Sequence, residues 1–361
     1  MHSSGASAGF DHVAGPGGTT DGGNANAAGG IEVGGGGARA GAGNAGALSG
    51  GSANAGAPSV AGSGGAAALC TSGALRCDTV REHCDQNGAW VKESFVCATD
   101  ITGATEQAIV CAVKSDGRMT CFGRSFDPLI APLVAHAPDR KWAKLVLSDD
   151  PSDKTDHDLC GIDLSGSGVC WGIDQVAHGV GASLTQVAPG SQGLCVVGAE
   201  GTLSCPENDG IIGPITADSG PFQDLVMRNG FLFGLGRSGS VSVPFSQFSL
   251  PSGAYDQISA SDRELCAVRA DHELFCAPHA PPSALAAQRF LRVAVEYGGS
   301  MCAIRDDHAV VCDPLDGGQS FVPVAGEFTR LTATMLGMCA IRSDGSIACF
   351  GSIQLEPPTD W

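Results

Sequence analysis

No stretch of this sequence approaches the ~20 consecutive apolar residues that a membrane-spanning helix needs, so no such helix is expected. Basic residues are few: 20 Lys and Arg stand against 38 Asp and Glu, a formal net charge of -18. An acidic surface repels nucleic-acid phosphates and anionic headgroups, and no basic-aromatic patch interrupts it, which excludes nucleic acid as an expected partner. Beyond the first 69 residues neither GxSxG nor HExxH occurs, and no nucleophile–base–orienter set stands out. C-x2-C spacing is absent too, which removes the usual structural zinc site.

Large apolar side chains are missing from residues 1–69, which are nearly all Gly, Ala, Ser and Asn, as in "GGNANAAGGIEVGGGGARAGAGNAG". Such a segment cannot offset the entropy of ordering it, and a disordered Gly/Ala-rich tether is expected. What is abundant is cysteine, with 16 in the chain, an even number that suggests a disulfide framework and an oxidising compartment. The start "MHSSGASAGFDHVAG" shows no basic residue followed by an apolar stretch, so no signal peptide is visible. The cysteines outweigh that clue. The expectation is an extracellular or cell-surface bacterial protein, tethered through an anchor not seen here; a cytosolic chain with buried reduced thiols is the alternative.

The cysteines fall in a repeat. "CAIRSDGSIACFG" begins at Cys339, and copies begin at Cys111 (CAVKSDGRMTCFG), Cys160 (CGIDLSGSGVCWG), Cys195 (CVVGAEGTLSC), Cys266 (CAVRADHELFC) and Cys302 (CAIRDDHAVVC). A seventh, FGLGRSGSVSV, puts Phe233 and Val243 where the others carry cysteines. Successive steps of 49, 35, 38, 33, 36 and 37 residues mark a repeat architecture.

Each copy specifies a hairpin. Its third residue is apolar throughout (Val113, Ile162, Val197, Leu235, Val268, Ile304, Ile341), and a turn follows. A three-residue loop needs positive φ at its last residue, which is Gly117, Gly166, Gly201, Gly239 and Gly345 in five copies. His272 and His308 fill the other two, and His tolerates this region better than most side chains. The loop makes the two cysteines cross-strand partners at a non-hydrogen-bonded site, with Cα atoms about 4.5 Å apart, at the lower edge of the disulfide range. Six staples are therefore expected: Cys111–Cys121, Cys160–Cys170, Cys195–Cys205, Cys266–Cys276, Cys302–Cys312 and Cys339–Cys349. Each contributes roughly 2–3 kcal/mol in chain-entropy terms, less any strain.

Another strand precedes most copies, as in FQDLVM (222–227), YDQISA (255–260), FLRVAV (290–295) and FTRLTA (328–333). Units of three or four short strands must stack to bury both faces, and seven of them arranged radially make an all-β, seven-bladed β-propeller. An open solenoid is the competing architecture.

An apolar strand, a cysteine-led hairpin with DG at its tip and a closing CWG or CFG together resemble the regulator of chromosome condensation repeat. The likeness is to that family's cysteine-rich bacterial branch and spans residues 101–361. The resemblance implies seven blades. The eukaryotic namesake binds chromatin and promotes nucleotide exchange on a small GTPase, but none of its partner-contacting residues maps here. Secreted bacterial relatives bind other proteins, among them a β-lactamase inhibitor, so by analogy the fold implies binding.

Upstream, Cys70, Cys77, Cys84 and Cys97 form a small satellite resembling cysteine modules that precede propellers in secreted bacterial proteins. Disulfides are favoured there over zinc, and three pairings stay open. The domains expected are thus a tether (1–69), a four-cysteine module (70–98) and a propeller (99–361). GLGRSG (Gly234–Gly239) fits a dinucleotide-binding pattern but sits on a hairpin tip rather than in a βαβ unit. In the insertion SDDPSDKTDHDLC, Asp149, Asp150, Asp153, Asp156 and Asp158 offer oxygens to Ca2+, although the EF-hand Gly and Glu are missing and a solvated acidic loop is favoured. His136, His157, His178 and His279 are placed in loops.

No catalytic residue and no cofactor is assigned. The expected function is a monomeric binding or scaffold protein that holds a protein or glycan through its loops. The acidic insertion, HAPPSA (279–284) and DPLDGG (313–318) are the candidate contact surface. A propeller hydrolase or lyase is the alternative, marked by Asp, Arg and His clustered at one mouth of the channel; small and apolar lining marks a binder. A structural surface protein without a partner is the third reading. Non-reducing peptide mapping tests the staples, with linked peptides expected for every pair ten residues apart. A free thiol at Cys339 or Cys349 contradicts both the compartment and the hairpin geometry.

Overall fold

The computed structural model describes residues 70–357 other than 71–73, 78–79, 105, 125–129, 149–157, 173–176, 191–192, 209–219, 229, 245, 262, 316–320, 336, 353–354 and 356. The proposed tether lies outside the described residues. The first sheet in chain order is the module: Leu75–Cys77, Val80–Cys84 and Trp90–Val96, antiparallel in sequence order. Cys70 pairs with Cys84 and Cys77 with Cys97, which selects one of the three pairings open to the sequence.

Seven further sheets follow among the described residues. Each has an inner, a middle and an outer strand, hydrogen-bonded in chain order. The first holds Ala98–Gly103, Ile109–Lys114 and Met119–Gly123. The second holds Trp142–Leu147, Leu159–Asp163 and Gly168–Trp171, with His178–Gly181 added at its edge. Leu184–Gly190, Gly193–Gly198 and Leu203–Asn208 make the third. In the fourth, Phe222–Arg228 and Phe231–Gly236 are joined by an outer strand of two residues, Val241–Ser242. The fifth is Tyr255–Ala260, Leu265–Arg269 and Leu274–Ala277. Phe290–Val295, Ser300–Arg305 and Val310–Pro314 form the sixth. The seventh is Phe328–Thr334, Gly337–Arg342 and Ile347–Gly351.

One hydrogen bond recurs between these sheets. The last loop residue of each hairpin has positive φ, from 64° at His308 to 84° at Gly117 and Gly201. Its carbonyl accepts the N–H of the first inner-strand residue of the next sheet. Trp142 thus donates to Gly117, Leu184 to Gly166, Phe222 to Gly201, Tyr255 to Gly239, Phe290 to His272 and Phe328 to His308, all at 2.8–2.9 Å. The seventh bond runs from Ala98 to Gly345 at 2.9 Å, so the last sheet feeds the first and the array closes. A closed ring excludes the open solenoid, and it covers the two terminal sheet faces that an open stack would leave exposed.

The buried side chains tell the same story. They form seven clusters, each sandwiched between two neighbouring sheets. Cys111 and Val113 of the first sheet meet Trp142, Leu145 and Trp171 of the second. Cys339 and Ile341 of the seventh meet Ala98, Ile101 and Val110 of the first, completing the circuit. Middle strands contribute to both of their neighbouring layers, which explains runs such as Ile109–Val113 with no exposed residue.

The six hairpin sulfur pairs lie 1.98–2.01 Å apart with Cα atoms 4.0–4.1 Å apart, and no described cysteine is free. They sit inside the layers rather than on the rim. In the fourth sheet Phe233 occupies the equivalent place, fully buried, edge-on to Phe248 at 5.3 Å. An aromatic pair of this kind adds about 0.5–1.5 kcal/mol to roughly 1.5–3 kcal/mol of burial. That matches a short-loop disulfide, so the exchange costs the fourth sheet little.

One expectation needs correction, and two connections carry short helices. His178 lies in a strand, not a loop, because a fourth strand pairs it with Cys170. HAPPSA runs into a short helix, Ser283–Ala286, with Pro282 at its N-cap. The long 49-residue step contains a helix, Ile130–Ala135, as well as the acidic insertion; Trp171 Nε1 donates to the Leu133 carbonyl at 2.8 Å and ties that helix down.

The closing turn is the test of this ring. A Cβ on Gly345 would stand 2.5 Å from Cys97 Cβ, and its φ of 78° is costly for alanine. Gly345→Ala should lose at least about 2 kcal/mol in urea unfolding, whereas His308→Gly should stay within about 1 kcal/mol of the parent. Equal stability of the two variants would contradict a strained closure at this turn.

Candidate functional site: the axial ring and the two faces

The inner strands surround one axis, and each turns its third residue inward. In sheet order these are Asp100, Lys144, Gln186, Asp224, Gln257, Arg292 and Arg330, all half-buried. A register shift falls just before each of them, between Ala98 and Asp100 in the first sheet and between Phe328 and Arg330 in the seventh. Such a bulge re-aims the side chain that follows it. Thr99, Thr185 and Thr329 are the extra residues in three strands, and their hydroxyls donate to the carbonyls of Val113, Val197 and Ile341.

The ring stitches neighbouring sheets together. Asp100 Oδ2 accepts the Leu145 N–H at 3.3 Å, and Gln257 Oε1 accepts the Val293 N–H at 2.9 Å. Gln257 Nε2 and Gln186 Nε2 donate to the carbonyls of Val293 and Gln223. Lys144 donates to Gln186 Oε1 and lies 4.0 Å from Asp224 Oδ1, two sheets away, which only a shared axial space permits. Asp224 Oδ1 also accepts the Leu225 N–H at 3.0 Å.

Burial raises the carboxyl pKa of both ring acids. For Asp100 the opposing pull comes from Lys144 and then Arg330, and for Asp224 from Lys144, the Leu225 N–H and Arg292. Burial lowers the Arg292 guanidinium, helped by Arg330 and opposed by Asp224 and Asp100. These directions show that the five charges share one poorly hydrated space.

The lining therefore matches neither expected extreme. It contains Asp and Arg, but no histidine stands at any of the seven positions, and the ring lies along the strands rather than at a mouth. Both acids are engaged by backbone N–H groups of the fold.

Four of the described histidines are held by groups of the fold. His272 Nδ1 lies 2.7 Å from Asp306 Oδ1 of the next hairpin, and His308 Nδ1 is 3.1 Å from the Phe328 carbonyl. His136 Nδ1 is 3.1 Å from the Gly172 carbonyl. His279 covers Glu264, whose side chain is 3% exposed, at 2.5 Å. Asp149, Asp150, Asp153, Asp156 and His157 lie outside the described residues, as do 316–318 of DPLDGG. Asp158 is fully buried, and no group of three or more metal-ligating side chains gathers among the described residues. A cavity of about 350 Å3 beside the fourth sheet is lined by Val241, Val243, Leu250 and serines, and its Tyr255 hydroxyl donates to the Pro251 carbonyl at 2.6 Å.

Strand direction divides the surface into two faces. Inner strands begin at the hairpin tips and end on the far face, where outer strands also finish. The tip face is laced with ion pairs: Arg118–Asp116 at 2.6 Å, Arg140–Asp163 at 2.8 Å and Arg269–Glu273 at 3.4 Å. The module packs there, through Arg81–Asp344 at 3.8 Å and Cys77 beside Gly345. The far face receives the ends of the acidic insertion, HAPPSA and the start of DPLDGG. It also exposes Tyr297 (39%) and Met335 (40%) beside the axis.

No family model matches this chain, and no curated protein does. Among solved structures, the chain is similar to the CRINKLY WD40 ectodomain of the receptor kinase ACR4 from Arabidopsis thaliana, at 17% identity and a TM-score of 0.51, covering 72% of this chain and 97% of that one. The entire ectodomain of the receptor kinase CR4 from Physcomitrella patens is similar at 18% identity and a TM-score of 0.53, covering 72% and 75%. Prp20p of Saccharomyces cerevisiae aligns at 10% identity with a TM-score of 0.47, covering 71% and 82%. The fold is a β-propeller, nearly all β. No helix among the described residues is long and apolar enough to cross a membrane.

The raised carboxyls have a measurable consequence. A carboxyl whose folded pKa exceeds its ordinary value of 3.8 disfavours the ionised folded state, and that penalty is absent below 3.8 and complete above the folded pKa. Asp224→Asn should therefore gain stability relative to the parent at pH 7, and the gain should vanish as the pH falls toward 3.8. A pH-independent difference in urea midpoints would contradict burial of this charge.

Proposed function

We propose that residues 99–361 form a seven-bladed propeller of the regulator of chromosome condensation type, exported with its four-cysteine module and tether. Its role is to bind a protein partner, not to catalyse. The observation that carries this reading is the asymmetry of the faces. The acidic insertion leaves and rejoins the sheets on the far face, and HAPPSA and DPLDGG leave their outer strands there, together with the exposed Tyr297 and Met335. Tyr and Met are enriched at the centres of protein interfaces. The tip face offers less, since paired charges and the docked module occupy it.

Export is supported by eight disulfides with no free thiol, a framework that cytosolic reductants would not maintain. The two plant neighbours above TM-score 0.5 are ectodomains, which is compatible with an extracellular setting. A binding role is compatible with the ring, whose two acids accept backbone N–H groups of the fold.

Photo-crosslinkers placed at Tyr297 and at Leu164, which is 67% exposed on the tip face, test the reading in intact envelope and culture fractions. A single saturable adduct is expected from position 297 and none from 164. Tyr297→Ala with Met335→Ala should weaken its formation at least tenfold. Adducts from 164 alone would reverse the face, and none from either would leave a structural surface protein.

A further inference from the structure

Five of the seven ring residues have their polar groups engaged. Asp100, Lys144, Gln186, Asp224 and Gln257 each hold a hydrogen bond to a backbone group or to one another. Arg292 and Arg330 do not. They occupy the same register position on adjacent inner strands, and neither guanidinium has a hydrogen bond or ion pair to any described residue. The ring's two carboxylates, one of them on the sheet next to Arg330, pull on these cations across the axis without bonding them: Asp100 accepts from Leu145, and Asp224 accepts from Leu225 and lies near Lys144. Two adjacent cations in a partly desolvated space, with ten N–H donors between them and no acceptor, are unfavourable by themselves. A fold gains nothing from that arrangement unless something else supplies the anion.

We infer that the axial channel is a binding site for a singly charged carboxylate, held between the guanidinium groups of Arg292 and Arg330. The planar guanidinium fork matches a carboxylate bidentately, and two forks on neighbouring strands present donors from two directions. The remaining ring selects against more highly charged ligands. Three cations face two carboxylates around the circle, so one negative charge neutralises the ring, while a dianion such as sulfate meets Asp100 and Asp224 uncompensated. The ring side chains are half-buried rather than sealed, so a small acid or the end of an acidic side chain is the size of ligand inferred for it. The site is independent of the far-face reading, because it needs neither Tyr297 nor Met335.

The test uses the full chain labelled with 15N-arginine, following the side-chain Nε–H resonances of Arg292 and Arg330 at constant ionic strength. Acetate is titrated first, then sulfate, then a capped peptide carrying one Glu and its Gln counterpart. Saturable shifts of both resonances with acetate are expected, with sulfate at least tenfold weaker. In Arg292→Gln the Arg330 shift should need at least tenfold more acetate, while urea midpoints stay near the parent's because no protein bond is lost. Asp224→Asn, which removes a repelling charge, should tighten acetate several-fold. Acetate binding without peptide binding identifies a free small acid as the ligand source, whereas tighter binding of the Glu peptide than of acetate identifies a partner's side chain. Linear, unsaturable shifts, sulfate as tight as acetate, or undiminished binding in a folded Arg292→Gln/Arg330→Gln double variant would each overturn the site.

Discussion

The architecture hangs on one backbone hydrogen bond made seven times. A hairpin carbonyl, turned outward because its residue adopts positive φ, receives the first N–H of the next inner strand. The bond sets where each sheet starts relative to its neighbour and in which direction its inner strand leaves. Five glycines and two histidines adopt the required conformation, with φ between 64° and 84°. The bond from Ala98 to Gly345 differs from the rest only in joining the first of the seven sheets to the last, and it turns a stack into a ring.

Between the sheets, energy comes mainly from apolar layers, with the cysteines as part of them. A buried Trp, Phe or Leu contributes roughly 1.5–3 kcal/mol, and every layer holds several. A short-loop disulfide adds about 2–3 kcal/mol. The sulfurs therefore do not replace a core. They pin hairpins whose outer strands run only four to six residues, too short to hold register unaided. Where the fourth sheet lacks the pin, Phe233 and Phe248 enlarge the layer instead.

The same inner strands create the functional geometry. A bulge in each one points a polar residue at the axis, and the seven differ in charge while sharing one position. Most of them fasten the next sheet, which makes the ring a structural device first. Arg292 and Arg330 are the two without a hydrogen bond or ion pair to a described residue, on the sixth and seventh sheets, whose turns also carry Tyr297 and Met335. The two unbonded guanidinium groups and the two exposed side chains thus belong to the same pair of neighbouring sheets.

Much of the fold was legible because its determinants are local. The DG tips, the cysteines ten apart and the apolar third positions encode a hairpin within a dozen residues, and its repetition implies stacking. The axial ring was not legible in the same way. Asp100, Lys144 and Arg330 look like ordinary polar residues in half-buried strands; aligning FTRLTA, FLRVAV and FQDLVM on their hairpins would have lined them up, but the bulge that turns them inward has no sequence signature of its own. Nor does spacing choose among the module's pairings, since Cys70–Cys84 and Cys77–Cys97 follow from how three strands cross. Sequence alone determined the repeating unit, because turn chemistry and cross-strand pairing act over neighbouring residues. Only the tertiary structure decided which residues share the axis and which face is left open, because those relations exist between sheets separated by dozens of residues and arise when the last carbonyl meets the first amide.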